Sequence, residues 1–321
     1  MSSEQASGRL LSIVVCTYNR ADLLIHCLAS IAEMQPLNAS KWELLLIDNN
    51  STDQTTLLVK QYINDHSDLE VRYFLETKQG LSHARNRGYQ EAQTEWVLYL
   101  DDDAKVKSNF AEQALSLVEN GQYDIVGGVY LPWYHYGKPH WFKDRFGSNR
   151  LEKVNQFTHS LKGFYASGGV MLWRKSLLFE LGGFDPKVGM IGNKLAYGEE
   201  TFVQKTAEAR GIFPAYDPEL IIYHVVAPYK LSVDHFIQRR YALGRDMVIG
   251  KQLSTRSWYL VAQVGFGLLK FMVLAIVNGF KYLFRKDYYQ ENWLIDSLWD
   301  ASMRAGIVYT TLLEHKSKKL D

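Results

Sequence analysis

Cysteine and proline are scarce in this chain of 321 residues, and its net charge is close to zero. It has two cysteines and seven prolines, and the net charge at pH 7 is +1. Cys16 and Cys27 lie in apolar segments, so we interpret them as small core residues in a reducing compartment rather than as a disulfide framework. The low net charge gives no reason to expect nucleic acid as a partner. The N-terminal stretch lacks the basic and then apolar pattern of a secretory signal, which favours a cytoplasmic location.

Two common phosphate-binding motifs are also missing. No G-x-G-x-x-G follows the first apolar run, and no G-x-x-x-x-G-K-[ST] occurs anywhere in the chain. The sequence therefore gives no support for a dinucleotide dehydrogenase or a P-loop enzyme. A ligand that carries phosphate would have to be held by side chains and a metal ion instead.

Apolar runs alternate with helical patterns in the first part of the chain. The runs comprise residues 11–16, 42–48, 69–76 and 95–100, and the helical patterns comprise residues 19–33, 54–64 and 80–92. Strands that are apolar on both faces and alternate with helices are typical of a parallel sheet covered on both sides. The sequence therefore predicts an α/β protein.

Polar side chains follow three of these runs at the point where each run ends. Thr17 follows the first run, Asp48 ends the second, and the three aspartates at 101–103 follow the fourth. In sheets of this kind ligands bind at the carboxyl ends of the strands. We therefore expect these side chains to line one binding crevice.

The three adjacent aspartates repel one another unless a positive charge offsets them. Residues i and i+2 of an extended segment point to the same side, so Asp101 and Asp103 can face one ligand while Asp102 faces away. Carboxylate oxygens are the ligands that Mg²⁺ and Mn²⁺ prefer. The alternative is a solvated turn that caps a helix near Ser108, but the position after a buried strand favours a metal site.

Five motifs stand out along residues 10–245. They read SIVVCTYNRADLLIHCLASI, LLLIDNNSTDQT, GLSHARNRGYQEAQTEWVLYLDDDA, GGVMLWRKSLLFELGGFDP and YGEETFVQK. In order and spacing they resemble the family 2 glycosyltransferases, which have the GT-A fold and invert the sugar that they transfer. The resemblance implies a Rossmann-like, mostly parallel sheet flanked by helices. A helical C-terminal appendage is expected from the apolar composition of the last seventy residues.

The same resemblance implies a division of the chain into domains. We expect a GT-A catalytic domain over residues 1–250, with a nucleotide-binding half at 10–130 and an acceptor half at 131–250. Residues 251–321 are expected to form a helical, membrane-associated region.

The resemblance assigns a nucleotide-diphospho-sugar site and a metal site. In the first, Thr17 and Tyr18 line the nucleotide pocket, Asp48 contacts the base, Arg85 lies beside the nucleotide and Asp101 faces the ribose; the remaining expected members are Asp102 and Gly169. In the metal site, Asp103 binds Mn²⁺ or Mg²⁺, which holds the diphosphate. His224 ends another apolar run and is expected near the metal, although a strand-end histidine can also be purely structural.

The YGEETF motif supplies the expected general base. The family usually has Glu-Asp at this point, and the second acid is the base, so the resemblance assigns that role to Glu200 beside Glu199. The longer side chain of Glu200 shifts its reach by about one methylene, and a base must lie within roughly 3 Å of the hydroxyl it activates. The alternative is that both acids only stabilise a helix N-terminus.

The C-terminal segment is apolar and basic. From Lys251 to Asp321 there are ten Lys and Arg against six Asp and Glu. Arg256, Gln263 and Lys270 are spaced by seven and form one polar stripe beside a broad apolar face. This pattern favours a helix that lies in a membrane interface; a single span and a helix packed on the protein or on another subunit are the alternatives.

Together these features predict a metal-dependent inverting glycosyltransferase that transfers a hexosyl or deoxyhexosyl group. Its acceptor would be a carbohydrate or lipid-linked hydroxyl in polysaccharide or glycolipid assembly, at the inner face of the plasma membrane. A homo-oligomer is compatible with the sequence. The alternatives are a nucleotidyltransferase of similar fold and a non-catalytic sugar-nucleotide-binding or scaffold protein.

Overall fold

A computed structural model describes residues 8–34, 39–187, 198–249 and 257–317. The chain divides into two compact units. Unit 1 comprises Met1–Trp133 and Gly147–Val225, and unit 2 comprises Tyr134–Phe146 and Val226–Asp321. Val226 and the residues after it belong to unit 2, and the predicted domain boundary at residue 250 stays a prediction.

Unit 1 contains an eight-stranded mixed sheet. Its strands are β1 (Leu11–Thr17), β2 (Trp42–Asp48), β3 (Val71–Leu75), β4 (Trp96–Asp101), β5 (Ala104–Val106), β6 (Ile125–Trp133), β7 (Val170–Arg174) and β8 (Ala215–Val225). The strand order is β3-β2-β1-β4-β7-β6-β8-β5. The first four strands in this order are mutually parallel. Beyond them, β7 runs antiparallel to β4 and β6, β6 and β8 are parallel, and β5 is antiparallel to β8.

Helices cover both faces of this sheet. Those of unit 1 are α1 (Ala21–Ala32), α2 (Thr55–Asp65), α3 (Leu81–Glu91), α4 (Phe110–Asn120), α5 (Lys175–Leu181) and α6 (Glu199–Glu208). Along β1, Ile13 and Val15 pack into one apolar cluster and Val14 into the other, because successive side chains of a strand point to opposite faces. The predicted fold, with strands and helices alternating through the first hundred residues, is confirmed.

The strand register brings the predicted polar residues to one edge. Thr17 pairs with Asp48 between β1 and β2, and Cys16 pairs with Asp101 between β1 and β4. These three parallel strands therefore end side by side. Both cysteines are free thiols, and burial raises the pKa of Cys16 to about 12, which is consistent with an unreactive core residue.

Unit 2 is built on three helices, α7 (Val233–Ile249), α8 (Ser257–Phe284) and α9 (Gln290–Ser317). Helices α7 and α9 touch through glycines. A Cβ atom on Gly244 would lie 1.9 Å from the carbonyl oxygen of Met303, and one on Gly306 would lie 2.1 Å from that of Tyr241. Only a residue without a side chain permits this approach.

Aromatic residues of the segment Tyr134–Phe146 are part of the core of unit 2. Trp141 and Phe142 are buried in a cluster with Phe236 and Ile295. The carbonyl oxygen of Trp141 accepts a hydrogen bond from the side-chain amide of Asn292 at 2.8 Å. These two aromatic residues therefore stabilise unit 2.

Two members of the predicted polar stripe, Gln263 and Lys270, contact α9, and the membrane association of α8 stays a prediction. The Lys270 ammonium pairs with Asp300 at 3.0 Å. Gln263 accepts a hydrogen bond from Arg304, whose guanidinium also pairs with Asp300. Gln263 and Lys270 are paired in these contacts because α9 carries complementary polar and charged groups. Arg256, the third member of the predicted stripe, lies outside the described residues.

Much of the remaining surface of α8 is exposed and apolar. We define the apolar face of α8 by its exposed large side chains, which are Val264, Phe266, Leu268, Leu269, Met272, Val273, Ile276, Val277, Phe280, Tyr282, Leu283 and Phe284. Within the described residues, one helical stretch, Ala262–Phe284, is long and apolar enough to cross a membrane by length and composition. Its most apolar window has a mean hydropathy of 1.6 and is 11% buried.

Candidate active site

Two carboxylates and one imidazole converge at the carboxyl edge of the sheet. His224 Nε2 lies 3.1 Å from Asp103 Oδ1 and 3.5 Å from Asp101 Oδ2. Strand pairing sets this arrangement, because β5 aligns Ala104 with His224 and the Val225 N–H donates to the carbonyl oxygen of Asp103 at 3.0 Å. Asp101 and Asp103 thus face one point, as the alternation along an extended segment predicts.

These three side chains fit a divalent cation. One ligand atom from each lies within 4.8 Å of the others, and carboxylate oxygens with an imidazole nitrogen form a donor set suited to Mn²⁺ and similar ions. His224 is oriented for this role, because its Nδ1–H donates to the carbonyl oxygen of Val225 at 2.9 Å and so leaves Nε2 directed at the carboxylates. The cluster contains both predicted metal ligands, and it adds Asp101.

Burial and the neighbouring carboxylates shift the pKa values of the groups in this cluster. Burial lowers the pKa of the His224 imidazole, but Asp103 and Asp101 outweigh it and raise that pKa from 6.5 to about 10. For the Asp102 carboxyl, burial has the opposite effect and raises the pKa from 3.8 to about 7, although Arg20 lowers it in part. A protonated imidazole therefore offsets part of the acidic charge at neutral pH.

Arg20 is a site residue that the sequence interpretation missed. Its guanidinium lies 2.8 Å from Asp103 Oδ2 and 3.2 Å from Asp102 Oδ1. Arg20 follows β1, and β1 lies beside β4, whose end carries the aspartates. A cation just after the first strand, in a chain with three acids after the neighbouring strand, is the signal that points to it. Asp102 faces this arginine and is absent from the carboxylate–imidazole cluster.

Arg85 lies between Asp101 and the acidic pair Glu199–Glu200 at the start of α6. Its buried guanidinium lies 2.5 Å from Glu199 Oε1 and 3.9 Å from Asp101 Oδ1. The Tyr99 hydroxyl donates to the carbonyl oxygen of Arg85 at 2.8 Å and so ties α3 to β4. An unpaired buried charge is strongly destabilising, so Arg85 and Glu199 are held in contact with each other.

Gly168 and Gly169 provide space for these side chains. A Cβ atom on Gly168 would lie 2.2 Å from Arg85 Nη2, and one on Gly169 would lie 2.1 Å from Asp101 Oδ2. In the structure it is Arg85 and Asp101 that approach them, so larger residues here would displace the site side chains.

Glu200 differs from Glu199 in its surroundings. Glu199 is buried and paired with Arg85, whereas Glu200 is half-buried at the start of α6. Burial raises the pKa of the Glu200 carboxyl above its ordinary value, Arg85 lowers it in part, and Glu199 and Asp101 raise it. A carboxylate with a raised pKa is a better proton acceptor, which is the property that a general base requires.

Asp48, which is expected to contact the nucleotide base, is hydrogen-bonded within the protein. It is fully buried and accepts hydrogen bonds from the Ser51 N–H at 2.8 Å, the Thr56 hydroxyl at 3.1 Å and the Tyr73 hydroxyl at 2.8 Å. These contacts hold the turn after β2 in place. Its contact with a nucleotide base stays a prediction, as do the nucleotide contacts of Thr17, which is buried, and Tyr18, which is half-buried.

We expect the cation-free protein to lose thermal stability between pH 6 and 8.5. The pKa of His224 is higher in the folded chain, about 10 against 6.5, so its stabilising proton is fully present below pH 6.5 and lost as the pH rises towards 10. Asp102 loses its proton over the lower part of this range. Added Mg²⁺ should therefore raise the melting temperature more at pH 8.5 than at pH 6.

Differential scanning fluorimetry with EDTA or excess Mg²⁺ measures this effect. His224→Gln should flatten the pH dependence in EDTA, because the titrating imidazole is gone. An Mg²⁺ shift that is equal at both pH values, or that persists undiminished in the His224 variant, would contradict the assignment of His224 to the site.

The sheet and the cluster at its carboxyl edge define an α/β protein of the GT-A type. Mannosyltransferase PcManGT from Pyrobaculum calidifontis, solved in complex with GDP-Man and Mn²⁺, has a similar fold. It is 20% identical with a TM-score of 0.58, and the match covers 95% of this chain and 88% of that one. The family model for glycosyl transferase family 2 matches residues 12–182. The chain belongs to glycosyl transferase family 2.

Two relatives indicate the range of this similarity. Glycosyltransferase AglE from Haloferax volcanii is 29% identical over 118 residues, which are 37% of this chain and 38% of that protein. GalNAc(5)-diNAcBac-PP-undecaprenol beta-1,3-glucosyltransferase from Campylobacter jejuni is 28% identical over 172 residues, 52% of each chain. The chain thus spans about half or less of the length of these curated relatives.

Proposed function

We propose that this protein transfers a sugar from a nucleotide-diphospho-sugar to an acceptor hydroxyl, with inversion at the anomeric carbon. One observation carries the proposal. At one sheet edge, Arg85 contacts both Asp101 of the carboxylate–imidazole cluster and Glu199 of the acidic pair Glu199–Glu200. Membership of family 2 supports the reaction class. The residues proposed to bind the donor are Thr17, Tyr18, Asp48, Arg85, Asp101, Asp102 and Gly169.

Asp103 and His224, with Asp101, would hold Mn²⁺ or Mg²⁺. An imidazole nitrogen is a softer donor than a carboxylate oxygen, which favours Mn²⁺. When bound, such a cation neutralises the negative charge that develops on a departing diphosphate. PcManGT, whose complex contains Mn²⁺ and a nucleotide sugar, supports both the cofactor and the donor class.

Glu200 is proposed as the general base. Its carboxylate takes the proton of the acceptor hydroxyl, and the oxygen forms a bond to the anomeric carbon. The bond from that carbon to the diphosphate breaks, and its electron pair leaves with the diphosphate. The pair between Arg85 and Glu199 holds the start of α6 and so positions Glu200. Arg20 is a second cation near the acidic edge that supports binding of an anionic donor.

The acceptor is proposed to be carbohydrate or lipid-linked, in polysaccharide or glycolipid assembly at the inner face of the plasma membrane. The printed name of the Campylobacter relative describes an undecaprenol-linked acceptor, and the exposed apolar face of α8 is compatible with work at a membrane surface.

A panel of nucleotide sugars tests the reaction class. Purified protein with Mn²⁺ is incubated with UDP-, GDP- and dTDP-linked sugars, and release of nucleoside diphosphate is measured. We expect turnover of one donor or a few related donors. Production of pyrophosphate from a nucleoside triphosphate and a sugar phosphate would instead identify a nucleotidyltransferase, and binding without turnover of any donor would favour a non-catalytic role.

A further inference from the structure

Helix α8 directs polar side chains at its neighbour α9 and exposes apolar side chains. In a soluble helical bundle the apolar stripe faces its neighbours and the charges face water. Here Gln263, Lys270 and Asn278 are directed at α9, where Asn278 donates to the Ser297 hydroxyl at 3.2 Å. The indole N–H of Trp293 also reaches the α8 backbone, at the carbonyl oxygen of Ala275, over 3.0 Å. These three polar side chains of α8 therefore have their partners on α9.

The outward side of α8 presents no charge along several turns. The most exposed members of its apolar face are Phe284 at 78%, Leu283 at 72% and Ile276 at 63%. From residue 264 to 284 the helix extends about 30 Å at 1.5 Å per residue. A contiguous apolar surface of this length is rare on a monomer in water and marks a binding surface.

Positive charge is concentrated at the C-terminal end of this face. We define the basic end of α8 as Lys143, Arg145, Lys281, Arg285 and Lys286. The ammonium groups of Lys143 and Lys281 lie 5.0 and 5.8 Å from the centre of the Tyr288 ring. Burial lowers the pKa of Lys143, and the adjacent Arg145 and Arg285 contribute to this lowering, which shows that like charges are crowded together.

Asp287 and Asp296 lie near these cations, and a third carboxylate, Asp144, is paired with Lys138. Asp287 pairs with Arg285 at 3.2 Å, and Asp296 accepts a hydrogen bond from the Tyr288 hydroxyl at 2.8 Å. The basic end therefore keeps an excess of positive charge next to exposed aromatic and aliphatic side chains. This combination is complementary to a bilayer surface, where lipid phosphates lie beside the acyl chains.

The charges of α9 decide against a membrane span. Asp300 and Arg304 lie on α9 where it contacts α8, and placing them in the hydrocarbon would be costly. Only the side of α8 that faces away from α9 is suited to lipid. We propose that the apolar face of α8 inserts into one leaflet of an anionic phospholipid bilayer, with the basic end in contact with the lipid phosphates. This deepens the proposed function, on which it rests for its biological role.

Flotation of the full-length protein with vesicles tests the basic end. Vesicles of phosphatidylcholine with 30% phosphatidylglycerol are compared with pure phosphatidylcholine. The variant Arg145→Gln/Arg285→Gln/Lys286→Gln should bind the anionic vesicles about 100-fold less tightly, because each basic side chain near an anionic surface contributes about a factor of five. The matched control is Lys60→Gln/Lys153→Gln/Lys162→Gln, which removes three exposed charges of unit 1 and should change binding less than about threefold.

A second variant tests the apolar face. Ile276→Ser/Phe280→Ser/Leu283→Ser should abolish flotation on both vesicle types. These side chains are 60–72% exposed, so the melting temperature should stay close to that of the wild type. Leu57→Ser, at an exposed position of α2, is the control and should float normally.

Several outcomes would overturn the proposal. They are a wild type that does not bind anionic vesicles, an apolar-face variant that floats like the wild type, and a basic-end variant that binds no worse than its control. A lipid-free wild type that sedimented as a dimer, and that the apolar-face substitutions converted to monomers without any effect on flotation, would assign this face to a second copy of the chain.

The same experiments separate docking from catalysis. Asp103→Asn lies in unit 1 and should float like the wild type although it is expected to be inactive. Failure to turn over any donor, combined with normal flotation, would refute the proposed function and leave the docking surface supported. Donor turnover without flotation would support the proposed function and refute the docking surface.

Discussion

Replacing Asp103 with asparagine is expected to lower the rate of sugar transfer by roughly 10³-fold. Asp103 places one oxygen 3.1 Å from His224 Nε2 and is the most enclosed member of the proposed cation site. Charge stabilisation of a leaving group by a bound cation contributes several kcal/mol to the transition state, and about 1.4 kcal/mol corresponds to a factor of ten in rate. EDTA should reduce the wild type by a similar factor, and Mn²⁺ should restore it.

Asp102→Asn is the matched control for this prediction. Asp102 is adjacent in sequence and has the same side chain, but it faces Arg20 rather than His224. Its replacement should lower the rate less than about tenfold and should leave the response to Mn²⁺ intact. Full activity in EDTA, or equal losses in the two variants, would refute the assignment of the cation to Asp101, Asp103 and His224.

Glu200→Gln is expected to lower turnover by roughly 10²–10⁴-fold, which is the usual contribution of a general base. Glutamine keeps the size and hydrogen-bonding capacity of the side chain but cannot accept the proton. Donor affinity, measured by calorimetry, should change little. In the wild type, turnover should fall as the pH decreases through the raised pKa of Glu200, because protonation removes the base.

Glu199→Gln provides the comparison, because it should act on stability. Its carboxylate is buried and lies 2.5 Å from the buried Arg85 guanidinium. Removing one partner of a buried ion pair typically costs about 3–5 kcal/mol, so the melting temperature should fall. At a temperature where both variants are folded, Glu200→Gln should retain less activity. If Glu199→Gln were the less active folded variant, the base would be Glu199.

Much of unit 1 could be predicted from the sequence because its signals are local. Apolar runs at 11–16 and 42–48 correspond to β1 and β2, since a strand buried on both faces must be apolar throughout. The alternation of strands with helices then requires parallel neighbours whose ends meet at one edge. Asp48 and the aspartates at 101–103 were placed at that edge by this reasoning alone.

Contacts between distant residues could not be read in the same way. His224 meets Asp103 only because β5 and β8 pair at the sheet edge, and Arg20 reaches the same aspartates from the end of β1. The distinction between Glu199 and Glu200 depends on which of the two lies against Arg85. None of these pairings has a sequence period, so the distances between the paired side chains follow only from the folded structure.

Helix α8 shows the division most clearly. Its apolar composition and the spacing of Gln263 and Lys270 are properties of the sequence, and they predicted an amphipathic helix. Which side of that helix faces solvent depends on Asp300 and Arg304 of α9, whose charges draw the polar stripe inward. The sequence by itself thus determined the family, the sheet and the acidic edge, because local periodicity and motif order encode them. The tertiary structure decided the partners of each charge, because ion pairs form between side chains that only folding brings within a few ångströms.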